Sequence, residues 1–209
     1  VDAGAEALFD NCVVADNATK STTTYNCGGL WADGAKLLRI NNCTFSNNKA
    51  SGVAPCIYVF GDTGGKTNVL ISNTTISGNS VNPEHATLNG GGIYVNSGTL
   101  NLSDGYVTNN SKSCECGTCQ GDTNNKYGGG GIALANNVTM NMTGGYVTGN
   151  YSGLAGGGIY AGFHSHNVKF TMSGGTIASN CAELGEGGGL RIAGGTDGVI
   201  QATNKVYIT

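Results

Sequence analysis

Eight cysteines, three histidines and two arginines carry the most specific chemistry in this 209-residue chain. Cys116-Gly-Thr-Cys119 has the C-x-x-C spacing of half a zinc site, and Cys114 and Cys181 could complete a four-thiolate set. The second C-x-x-C that usually accompanies such a half-site is missing, so disulfides tying the inserted loop to itself and to a later corner are the favoured reading for the same four. Their pairing then has three possibilities, which spacing does not decide. His164-Ser-His166 puts two imidazoles on one face of a strand with no third ligand in view, a pattern that more often marks a solvated loop. Polysaccharide lyases and hydrolases need paired carboxylates, or acids holding calcium beside a basic residue. Here Asp10, Asp16, Asp33, Asp62, Asp104, Asp122 and Asp197 are scattered, and Arg39 and Arg191 lie far apart. The reading is a chain without catalytic residues, resident metal or cofactor.

The elements that would position these groups show first in the composition. There are 37 glycines but only two prolines, and charged residues make up 11 %. No Gly-X-Y period exists, which excludes collagen. The formal net charge of -3 offers no basic footprint for nucleic acid. No run of about 18 apolar residues is present to span a membrane. Cysteine-rich and charge-poor, the chain suits an oxidising, secreted or cell-surface setting.

Two units recur in fixed order. One is an apolar residue, two small or polar residues and an asparagine: Val14 to Asn17, Phe45 to Asn48, Ile76 to Asn79, Val107 to Asn110, Val147 to Asn150 and Ile177 to Asn180. These asparagines follow one another at intervals of 31, 31, 31, 40 and 30 residues. The other is a glycine block entering a short apolar strand, as in Gly90-Gly-Gly-Ile93, Gly129-Gly-Gly-Ile132 and Gly156-Gly-Gly-Ile159. Stretches such as Leu100-Asn-Leu102 and Phe170-Thr-Met172 alternate with period two, which marks strands with one buried face. Three short strands per repeat, wound so that each repeat lies on the last, give an all-β parallel β-helix of six to seven coils. The one 40-residue interval contains an inserted, cysteine-rich loop at about residues 112–126 of an otherwise single domain, 1–209.

Stacking turns equivalent letters into spatial neighbours about 4.8 Å apart. Asn17, Asn48, Asn79, Asn110, Asn150 and Asn180 become a corner ladder, adopting the left-handed region and bonding amide to amide. Cys12 and Cys43 share one site in adjacent coils, and Cys27 and Cys56 flank one corner, so each pair falls within disulfide range and the register predicts the disulfides Cys12–Cys43 and Cys27–Cys56. Trp31, Tyr58, Tyr94 and Tyr160, with Ala133 and Arg191, become an outward row. Such a row could hold a glycan or a protein partner, or simply stack coil on coil. Among the Asn-x-Ser/Thr sequons, Asn42, Asn73, Asn101, Asn137 and Asn141 are the better acceptors for glycosylation, the ladder positions being shielded.

The paired glycine-block and Phe-x-x-Asn-like signals, outright in Phe45-Ser-Asn-Asn48, resemble the repeats of the polymorphic outer-membrane protein family and of related adhesin-like β-helices. Other copies place Ile or Val where that family favours Phe. The resemblance covers residues 7–208 and implies a right-handed β-helix with a surface or adhesive role. No outer-membrane barrel segment accompanies it. The chain lacks an evident cap at either end, which points to a piece of a larger surface protein or a subunit that stacks end to end into a filament. Carbohydrate binding through the aromatic row is the alternative, and a polysaccharide-active enzyme the least favoured.

Overall fold

The computed structural model describes residues 1–20, 26–50, 56–61, 67–81, 90–112, 128–162, 167–193 and 207–208. The chain opens with β1 (Glu6–Asp10) and β2 (Val13–Ala15), then completes a first full coil with β3 (Leu30–Asp33), β4 (Leu37–Asn41), β5 (Thr44–Ser46) and β6 (Lys49–Ala50). That four-strand unit repeats through Ala182, and all pairing between coils is parallel. Four sheets result, numbered I to IV after the strands β3, β4, β5 and β6 that lie in them. The fold is a parallel β-solenoid, as the repeat predicts.

Two details differ from that prediction. Each full coil has four strands, because the two residues after each ladder asparagine pair with the next coil, as Ser80 does with Lys49 and Ser111. Two-residue strands carry too little alternation to be read from sequence. There are also five complete coils, the six to seven expected having counted a partial coil at each end.

Sheets I, II and III close around one apolar core. Each full coil contributes inward side chains from all three, such as Ile57 and Val59, Val69 and Ile71, and Ile76, all essentially inaccessible. At about 25 cal/mol per Å² of apolar area, burial of this kind is the main favourable contribution to folding. It does not fix how far each coil turns. The corners do that.

At the corner between sheets III and IV, Asn48, Asn79, Asn110 and Asn150 point inward and are 0–1 % exposed. A buried amide without partners would cost several kcal/mol, and every one of these amides is bonded. In Asn79, the backbone N–H and Nδ2 donate to Oδ1 of Asn110, at 3.1 and 2.8 Å. Nδ2 also donates to the Phe45 carbonyl at 3.2 Å. Oδ1 of Asn79 in turn accepts from the backbone N–H and Nδ2 of Asn48. The pattern repeats from Asn17 to Asn180, and the 40-residue interval does not disturb it. The left-handed region, expected at the ladder asparagines, is instead adopted one residue earlier, by Asp16, Asn47, Gly78, Asn109, Gly149 and Ser179, with φ between 54° and 65°. That reversal turns the next side chain into the coil.

The glycine block exists to make room for this ladder. A Cβ on Gly131 would stand 2.9 Å from Asn150 Nδ2 and 2.8 Å from the Gly158 carbonyl oxygen, and one on Gly158 would stand 2.8 Å from Asn180 Nδ2. The two sequence units therefore meet in space, the glycine of each coil backing the asparagine of the same coil.

Replacing Asn110 by Ala strands two N–H groups of Asn79, removes the side-chain donor to the Ile76 carbonyl, and leaves Oδ1 of Asn150 with only the backbone N–H of residue 110. It is expected to lower stability by about 3 kcal/mol or more, whereas Asn17→Ala, at the exposed end of the ladder, costs about 1 kcal/mol. Urea unfolding of the two variants measures the difference.

Candidate functional site

The outer face of sheet I carries the aromatic row in the predicted order. Trp31, Tyr58, Tyr94, Ala133, Tyr160 and Arg191 are partners in successive coils. The ring centroids of Trp31 and Tyr58 are 4.3 Å apart, and those of Tyr58 and Tyr94 are 5.3 Å apart. The row is not an exposed platform. Tyr58, Tyr94 and Tyr160 are 1 %, 6 % and 0 % exposed, in a second apolar cluster with Ala133, Ala135 and Ala155. Sheet I is thus covered on both faces, and the stacked rings tie coil to coil. The signal was present in sequence. Ile57-Tyr-Val-Phe60 and Ile93-Tyr-Val95 are continuous apolar runs, the mark of a doubly buried parallel strand.

The row opens to solvent at its first coils. Among the described residues, Trp31, Asp33, Tyr58 and Phe60 line a cleft of about 310 Å³. Trp31 and Phe60 are half-buried and Asp33 is exposed. At the other end the Arg191 guanidinium lies 5.7 Å from the centre of the Tyr160 ring and donates to Glu186 at 2.7 Å. A second aromatic pair, Tyr106 and Tyr146, stacks on the outer face of sheet III with centroids 5.0 Å apart, 49 % and 43 % exposed. One face of each ring is turned on the other.

The cysteines sit where register places them but are not cross-linked. Cys12, Cys27, Cys43, Cys56 and Cys181 are free thiols. Cys114, Cys116 and Cys119, with most of the inserted loop, lie outside the described residues, as do His164 and His166. Cys12 and Cys43 occupy a column continued by Thr74, and the three behave alike. Each donates to the carbonyl two residues back: Cys12 to Asp10, Cys43 to Asn41, Thr74 to Ser72. Cys43 Sγ and Thr74 Oγ1 also accept the backbone N–H of the coil before, from Cys12 and Cys43. The thiols act as hydroxyl equivalents in a hydrogen-bonded relay, which points sulfur at backbone rather than at sulfur. Cys27 likewise donates to the carbonyls of Leu30 and Cys56. Among the described residues no cluster of His, Cys, Asp and Glu is arranged to hold a metal.

Of the sequon asparagines, Asn42, Asn73 and Asn137 are exposed at corners in the left-handed region, with φ of 51°, 47° and 52°. Asn101 and Asn141 are not equivalent to them. They form an outer ladder on sheet II, Asn141 Nδ2 donating to Asn101 Oδ1 at 2.9 Å and Asn101 Nδ2 to Asn68 Oδ1 at 3.1 Å. Two carboxylates in the first coil face structural partners: Asn41 donates to Asp10 at 2.9 Å, and Lys36 pairs with Glu6 at 2.5 Å. Lys112, read from sequence as the start of the insertion, is instead a strand residue of sheet IV and 1 % exposed. Nothing in the local pattern of Asn110-Ser-Lys112 announces that burial.

Tyr94→Ala should therefore act as a core truncation, lowering stability by about 3 kcal/mol or more in urea unfolding. Burial pushes the Cys27 thiol up to about 11, outweighing the backbone N–H groups of Gly29, Tyr58 and Leu30 that favour the thiolate. Between the ordinary value of 9.0 and about 11 the unfolded chain releases this proton and the folded chain keeps it. Stability then falls as pH rises through that window, by about 3 kcal/mol from this thiol. The loss should be smaller by about that amount in Cys27→Ala in matched unfolding titrations, the part that remains coming from Cys43 and Cys56, which burial also raises. No family model, curated protein or solved structure matches the chain, so a functional reading has to come from its geometry.

Proposed function

We propose that this chain is a structural and adhesive element of a secreted or cell-surface protein, a rigid β-solenoid rod whose copies stack end to end. The observation that carries the reading is the direction of the asparagine ladder. Among the described residues no donor reaches Oδ1 of Asn17, and no acceptor takes the backbone N–H of Asn180. One end of the ladder is an acceptor and the other a donor, in the register that every internal coil already uses. At the donor end Tyr207 and Ile208 already lie on Thr176 and Ile177, so this chain itself begins the coil beyond Asn180, and copies stacked end to end would meet at that coil and at the first one. The half-buried inward side chains of the first coil, Phe9 and Val14, would be covered by the same contact.

The outer surface suits such a role. Sheet III presents mostly short hydroxyl side chains, Thr44, Ser46, Thr75, Ser77, Thr108 and Thr148, and the exposed sequons Asn42, Asn73 and Asn137 offer positions for glycans that leave the ladder untouched. Glycan binding along the tyrosine row would need the rings of Tyr58, Tyr94 and Tyr160 at the surface, where they are not. The reading is non-catalytic. It includes no membrane span, and among the described residues no helix is long and apolar enough to cross a membrane.

Analytical ultracentrifugation and negative-stain electron microscopy of the purified chain test the stacking. The expected result is concentration-dependent association into rods of uniform width. Asn17→Arg, which puts a long charged side chain at the acceptor end, should abolish association and leave the β-sheet circular dichroism intact. A monomer at all accessible concentrations contradicts the reading.

A further inference from the structure

The cleft at the open end of the aromatic row has a shape set by the coil step. Both faces of Tyr58 are occupied, by Trp31 from one neighbouring coil and Tyr94 from the other. Phe60, two residues along the same strand, is nearly parallel to Tyr58 at 7° with ring centroids 6.3 Å apart. With the Tyr58 faces taken, Phe60 lies at its edge, and the two rings form one continuous aromatic layer. In the coil before, the partner of Tyr58 is Trp31 but the partner of Phe60 is Asp33. A short carboxylate therefore stands where a ring would complete the stack. Among the described residues, the Phe60 face above it is left open beside Trp31, in a slot one coil step, about 4.8 Å, high.

We propose that this slot binds a guanidinium group, the side chain of an arginine presented by a partner protein. Three observations point to it. The slot admits a flat group stacked on Phe60 at the level of Trp31, and aromatic faces attract cations. Asp33 supplies the opposite charge at the same level, its carboxylate accepting no hydrogen bond from the described residues, in a chain of net charge -3. The same column already holds this arrangement at its far end, where Arg191 lies over the Tyr160 ring and pairs with Glu186. There the ring, the guanidinium and the carboxylate are all supplied by the chain. At Trp31 the ring and the carboxylate are present and the cation is left to a partner. Planarity and paired N–H donors make arginine a better occupant than lysine. Every group named in the slot belongs to one chain, so the inference does not rest on the stacking proposed above.

Trp31 is the only tryptophan in the sequence, so its fluorescence and its indole N–H resonance report this cleft directly. Titration of the intact chain with Nα-acetyl-arginine amide should give a saturable change in both, and Nα-acetyl-citrulline amide, a neutral isostere, should bind about tenfold more weakly or not at all. Asp33→Asn, an exposed change that leaves the core alone, should weaken the arginine response by about fivefold with the thermal midpoint unchanged. Saturation by methyl N-acetylglucosaminide in place of arginine would assign the cleft to saccharides and overturn the proposal. So would equal responses to arginine and citrulline, no saturable response, or an arginine response that Asp33→Asn does not alter.

Discussion

A primary amide cannot be buried in an apolar interior unless its two N–H bonds and its carbonyl oxygen are all paired. This molecule buries four in a line, Asn48, Asn79, Asn110 and Asn150, and each is satisfied chiefly by the next. The consequence is a constraint on every coil. Whatever loop a coil carries, its corner must return to the same place, or two neighbouring amides lose their partners. Apolar burial alone tolerates slippage between parallel strands that present similar faces. The ladder does not. It sets the register that the other columns inherit, from the Cys12–Cys43–Thr74 relay to the tyrosine row.

The ladder also accounts for features that look unrelated in the sequence. Glycines precede the strands of sheet I because a Cβ there would strike the asparagine of the same coil and the backbone of the next. Small or turn-forming residues precede each ladder asparagine because the backbone must reverse through the left-handed region at that point. The 40-residue interval is harmless because its extra residues fall in sequence between Lys112 and Gly128, after one ladder corner and before the next glycine block. Each is a local answer to one demand on the corner.

What could be read from sequence follows the same division. Features fixed by repetition were legible: the parallel stacking, the identity of the ladder, the adjacency of Cys12 and Cys43, and the order of the aromatic row. Features fixed by what lies on the far side of a strand were not. Tyr58 and Tyr94 occupy the outward position that alternation assigns them, and the second layer over that face shows only in the continuous apolar runs around them, not in the alternation. Cys43 has a neighbouring thiol in register, but its sulfur is already engaged with the Asn41 carbonyl and the Cys12 N–H, a preference that only Thr74 in the next coil betrays. The fourth strand was missed because two residues cannot show a period. The Trp31 cleft required the stacking order of the rings, which depends on side-chain geometry rather than on spacing.

The account stands or falls on the buried amides being hydrogen-bonded in solution. Hydrogen exchange of the asparagine side-chain amides, followed by ¹⁵N-resolved NMR, reports this directly. The Nδ2 protons of Asn48, Asn79, Asn110 and Asn150 should exchange orders of magnitude more slowly than those of exposed Asn42 and Asn73. Uniformly fast exchange at all six positions would mean that the corners are open to water, and that some other interaction holds the coils in register.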